Sequence, residues 1–171
     1  FFSYLSAQGG FEFAQNVTVD GGQGNAYDLI FGFSPDATDG FDDGTDVLAP
    51  PAPPPPAFDA TLKWGDIRYY TKIVNGDSLD LIEHIWDIQL QYDTNNTINL
   101  TWDNTGWSDL GTFVLQDAFD GALGINIEMT DSTSLTLTNP AFNTLKLKVT
   151  PNGTSGSFLS TVKNYGRIPA E

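Results

Sequence analysis

The chain has no cysteine, one histidine, one methionine and only seven basic residues among its 171. Without cysteine there is no disulfide, no thiolate nucleophile and no Cys-bound zinc. The single histidine, His84, sits in Leu81-Ile82-Glu83-His84-Ile85-Trp86, and such a setting reads as a packed or surface histidine rather than as a base or metal ligand. There is no H-E-x-x-H, no G-x-S-x-G elbow and no phosphate-cradling glycine loop. Gly21-Gly22-Gln23-Gly24 and Gly153-Thr154-Ser155-Gly156-Ser157 read as turns. The expectation is therefore that the chain is not an enzyme. Seven bases against 22 acids leave a net charge of −15 and a pI near 4.1. Such a surface repels phosphate backbones and anionic lipid, so nucleic acid is not an expected partner. No run approaches the roughly 20 apolar residues of a membrane helix, so no membrane-spanning segment is expected.

Aromatics, by contrast, are abundant: 12 Phe, 6 Tyr and 4 Trp. With 40% apolar residues the chain can build a core and is not a disordered acidic tail. Asp supplies 18 of the 22 acids, while the helix-friendly Glu, Lys and Arg are scarce. That balance favours strands and turns over helices. Phe11 to Val19 alternates and stops at Asp20-Gly21-Gly22. Phe58 to Trp64 and Ile67 to Val74 follow, the second ending at Asn75-Gly76-Asp77. Ile85 to Tyr92, Thr97 to Trp102, Thr112 to Leu115, Gly124 to Met129, Ser134 to Thr138, Thr144 to Thr150 and Ser157 to Val162 continue the series. About ten short strands at 8–12-residue spacing predict an all-β sandwich or barrel.

Residues 34–57 differ from the rest. Asp36, Asp39, Asp42, Asp43 and Asp46 fall within eleven positions, with Gly40 and Gly44 between them. Calcium takes six to eight hard oxygens from such loops, so these five Asp are candidate Ca²⁺ ligands. The spacing does not fit an EF-hand, and Asx-turns that cap the loop's own backbone are the other reading. The Pro-rich strap 49–57 holds six of the ten prolines. It predicts extended polyproline II that crosses the sandwich, links to a neighbour or docks on a Pro-binding module.

Phe31-Gly32-Phe33-Ser34-Pro35-Asp36-Ala37-Thr38-Asp39-Gly40-Phe41-Asp42, then Asp46 and the Pro run, make one recognisable signature. Ile98 to Asp103, Gly111 to Asp117, Ile127 to Met129 and Leu145 to Val149 make another. Together, over residues 26–150, they resemble a β-sandwich surface module of secreted Bacteroidota-type proteins. The resemblance implies an immunoglobulin-like β-sandwich, export and a structural or adhesive role, with no activity to transfer.

The division expected is an N-terminal arm, 1–19, and a β-sandwich domain, 20–171. The non-Met start at Phe1 reads as an export signal already removed, placing the protein outside the cell or on its surface. Phe1, Phe2, Tyr4, Leu5, Phe11, Phe13, Val17 and Val19 make the arm strongly apolar, so it must be buried. It either closes its own sheet or enters a neighbour's, as in donor-strand complementation; repetition of the latter gives a homopolymeric filament. The rival reading is a carbohydrate-binding module. Its sugar platform would be Trp107, an aromatic in the turn Asn104-Thr105-Gly106-Trp107-Ser108, with polysaccharide as the partner.

Overall fold

The computed structural model describes residues 13–22 and 24–153. They form eleven strands: β1 (Phe13–Asp20), β2 (Ala26–Ser34), β3 (Val47–Leu48), β4 (Asp59–Trp64), β5 (Ile67–Asn75), β6 (His84–Gln91), β7 (Ile98–Trp102), β8 (Gly111–Asp117), β9 (Asn126–Glu128), β10 (Ser134–Leu137) and β11 (Thr144–Pro151). The only helical element among the described residues is a 3₁₀ turn, Trp107–Asp109. The all-β expectation holds. No described helix is long and apolar enough to cross a membrane.

The strands join in one sheet in the order β10-β7-β1-β2-β5-β4-β6-β11-β8-β9, with β3 beside β5. The β2–β5 ladder is parallel and the others are antiparallel. Period-two alternation sets which side chains point inward. In β6, His84, Trp86, Ile88 and Leu90 are buried while Asp87, Gln89 and Gln91 are half-exposed; β11 alternates the same way.

The sheet curls so that its inner face meets itself. Phe13 of β1 lies 5.5 Å from Phe113 of β8, strands far apart in the order. Phe31 of β2 meets Trp86 of β6 edge-on at 5.5 Å. One apolar core results, which draws side chains from both halves of the strand order. Each large group in it contributes roughly 1.5–3 kcal/mol of transfer free energy.

Two expectations need correction here. The stretch 13–19 is not a free arm: it is β1, paired with β2 along its length and with β7 from Val17 to Asp20. Phe13, Val17 and Val19 are buried in the chain's own core. Strand alternation reads the same whether a strand pairs at home or abroad, and the structure pairs this one at home. β1 and β2 pack so closely that a Cβ on Gly32 would collide with the Phe13 carbonyl. Phe1, Phe2, Tyr4, Leu5 and Phe11 lie outside the described residues. The Pro run is not extended throughout either. It ends in a turn, closed by the Ala57 N–H donating to the Pro54 carbonyl at 3.2 Å, with a cis Pro55–Pro56 bond.

Candidate functional site

The Asp-rich loop 34–46 folds over β5 around a lysine. Lys72 and Asp46 have fully buried side chains, with Nζ 2.7 Å from Oδ2. The same ammonium reaches the carbonyls of Gly40 at 2.6 Å, Ile73 at 3.0 Å and Thr38 at 3.3 Å. The second oxygen of Asp46 accepts the Ile73 N–H at 2.9 Å, and the first also accepts the Asp42 N–H at 3.0 Å. Every polar group of the pair is thus compensated, as burial of charge demands. Of the five carboxylates that the sequence offered to Ca²⁺, Asp46 alone meets this ammonium, whose other partners are backbone carbonyls.

The other acids of the loop are dispersed. Asp42 accepts the Thr38 N–H at 2.6 Å and the Thr38 hydroxyl at 2.8 Å. The Thr38 N–H is the main reason its carboxyl lies below the usual range, with the Lys72 charge adding a little. Asp39 accepts the Asn75 N–H at 3.3 Å, tying the loop to the end of β5. Asp36 and Asp43 are exposed. Among the described residues no three His, Cys, Asp or Glu side chains converge as metal ligands. Asx-turns do not describe this loop either: Asp42 and Asp46 each accept a backbone N–H from four residues earlier, and the short turns are closed by the Ser34 and Thr38 hydroxyls. One sign was available: Thr71-Lys72-Ile73-Val74 sets a lysine inside a run that is otherwise strand core.

Trp107 is not an exposed platform. Its side chain is fully buried, stacked on Phe113 at 4.5 Å and edge-on to Phe31 at 6.2 Å. Gly106, at φ 80°, takes a left-handed turn that points the following residue inward. A turn position suggests exposure, but an indole gains more by burial. His84 is packed as expected, its ring stacked on Phe33 at 4.9 Å and against Gly76. Burial pushes its pKa below the ordinary 6.5, although Asp39 and Asp80 pull the other way.

A cleft of about 550 Å³ lies where three loops meet at one end of the sheet. Its walls are the β1–β2 turn, the bend after the Pro run and the β6–β7 turn. Gln91 fixes the bend by donating from Nε2 to the carbonyls of Pro53 at 3.0 Å and Ala57 at 2.7 Å. Asn96 ties the first and third walls, donating to the Gly21 carbonyl at 3.2 Å. Phe58 seals the floor so tightly against Gly21 that a Cβ there would strike its ring. Tyr27, half-buried, packs against Phe58 at 5.5 Å and stacks with Tyr70 at 5.8 Å. Sequence reading passed this cleft over, since its walls are three separate turns that only the fold brings together.

Comparison of the chain with protein-family models, with curated proteins and with solved structures finds no match.

Proposed function

We propose that the chain is a structural, non-enzymatic module of an extracellular bacterial filament or surface fibre. In this reading the curled sheet is an immunoglobulin-like sandwich of the Bacteroidota-type surface class. Residues 1–12 form the linking arm, shortened from the expected 1–19 because 13–19 serve the chain's own core. They pack on a second copy by strand complementation, which gives a homopolymer.

The observation that carries the reading is an apolar patch between β5 and β6. Leu79, Leu81 and Ile82 are 56%, 59% and 58% exposed, and Ile85 continues the patch at 37%. Leu81 holds a left-handed backbone, φ 56°, where leucine is disfavoured by roughly 1–2 kcal/mol. Strain that holds an apolar side chain in water points to a contact surface. The first twelve residues supply matching chemistry in Phe1, Phe2, Tyr4, Leu5 and Phe11.

Electron microscopy and light scattering test this on the full chain and on a variant that starts at Phe13. Ordered polymers from the full chain alone are expected. Polymers from both, or a stable monomer from the full chain, would refute the linking arm. Lys72 supplies the loop's cation in this reading, so EDTA leaves assembly unchanged. Loss of assembly in EDTA would return calcium to the exposed Asp36 and Asp43.

A further inference from the structure

We propose that the cleft between Gly21, Gly22 and Asn25 on one side, the 53–58 bend and the 93–96 turn is a binding site for a neutral saccharide. The site is independent of the fibre reading, for none of its residues belongs to the first twelve or to the apolar patch.

Charge narrows the ligand first. Among the described residues no lysine, arginine or histidine lines the cleft, and the chain carries −15 overall. Phosphates, sulfates and carboxylates would enter against that field without a cation to receive them. Among the described residues Asp93 is the one carboxylate in the lining, too few for a hard cation that needs six or more oxygens. A neutral ligand remains. The lining groups then specify its polarity. Asn25 and Asn95 are exposed, and their side-chain amides make no hydrogen bond to the described residues. Each amide presents a donor and an acceptor side by side, the pattern that vicinal hydroxyls complete.

The apolar lining agrees. Tyr27, Pro53 and Pro56 offer flat hydrocarbon beside those amides. A pyranose ring has a C–H face for the aromatic and hydroxyl edges for the amides. A purely apolar ligand would leave Asn25, Asn95 and Asp93 desolvated. The cleft also falls in the size range of small-molecule sites, roughly 300–1,000 Å³. Its walls are already fixed by Gln91 and Asn96, so little ordering entropy is lost on binding.

The test is isothermal titration of the full chain with cellohexaose, mannohexaose, xylohexaose and chitohexaose, with hexagalacturonate as the anionic comparison. Saturable binding of at least one neutral oligosaccharide is expected, with hexagalacturonate weaker. Asn25→Ala and Asn95→Ala, both at exposed positions, should each weaken that binding about tenfold, the equivalent of one lost hydrogen bond. Tyr27→Ala should weaken it at least as much, with circular dichroism reporting whether the sheet survives. The proposal fails if no neutral oligosaccharide binds at millimolar concentration. It also fails if hexagalacturonate binds best, or if both Asn variants bind like the parent chain.

Discussion

Lys72 and Asp46 form a pair whose two members depend on each other. An ion pair taken fully out of water gains little net free energy, because desolvation offsets the Coulomb attraction. Removing one member is different, for it strands the other charge in the interior. Lys72→Met should therefore lower stability by about 3–5 kcal/mol in urea unfolding, and Asp46→Leu by a similar amount. The double variant should end nearer the parent than either single one. Additive losses would mean that the two charges act apart. His84 gives a second test. Its pKa is depressed in the folded chain by burial, so below about 6.5 the unfolded chain takes up the proton more readily. Stability should fall as pH drops from 6.5 towards the folded pKa and then stop falling on this account. His84→Phe should flatten that slope in denaturant titrations between pH 5 and 7, a window above the ordinary Asp value of 3.8.

At the scale of elements, the Asp117 carboxylate gathers the connection from β8 to β9. It accepts the backbone N–H groups of Phe119 and Ile125 at 3.0 and 3.2 Å, and those of Gly121 and Leu123 at 3.2 and 3.0 Å. Burial alone would raise its pKa, but these donors hold it below the usual range. Asp117→Ala should speed hydrogen exchange at Phe119, Gly121, Leu123 and Ile125 while the β6–β11 ladder stays protected. Uniform loss of protection across the sheet would instead make the residue part of the global fold. The strands themselves were largely legible. β7 and β11 follow period-two runs, β4 and β5 are short apolar runs bounded by turn residues, and the ends of all four fall within a residue or two of the expected ones. β3, only Val47–Leu48, is too short to carry a period, and β1 reads the same in cis or in trans. The candidate sites were less legible. Lys72 reaches Asp46 across 26 residues, and Trp107 turns inward on a single φ angle at Gly106. Neither fact is written in local spacing.

For the molecule as a whole, charge and apolar surface oppose each other. Copies carrying −15 repel, and the repulsion reaches about 30 Å in 0.01 M salt but about 10 Å in 0.1 M. The apolar contact acts only when surfaces touch. Assembly followed by light scattering should therefore speed up as sodium chloride rises from 0.01 to 0.15 M. An unchanged or slower rate would point to a contact made by opposite charges. Leu81 separates the contact from the fold. Asparagine suits a left-handed backbone, and Leu81 is 59% exposed with φ 56°. Leu81→Asn should thus stabilise the isolated chain by about 1 kcal/mol in urea, by relief of backbone strain. The same substitution removes an apolar group from the patch, so it should slow assembly. A variant that is more stable and assembles less well would mark the patch as the contact. One that assembles as fast as the parent would remove the patch from the interface, and the arm would then have to dock elsewhere, such as the short edge strands β9 and β10.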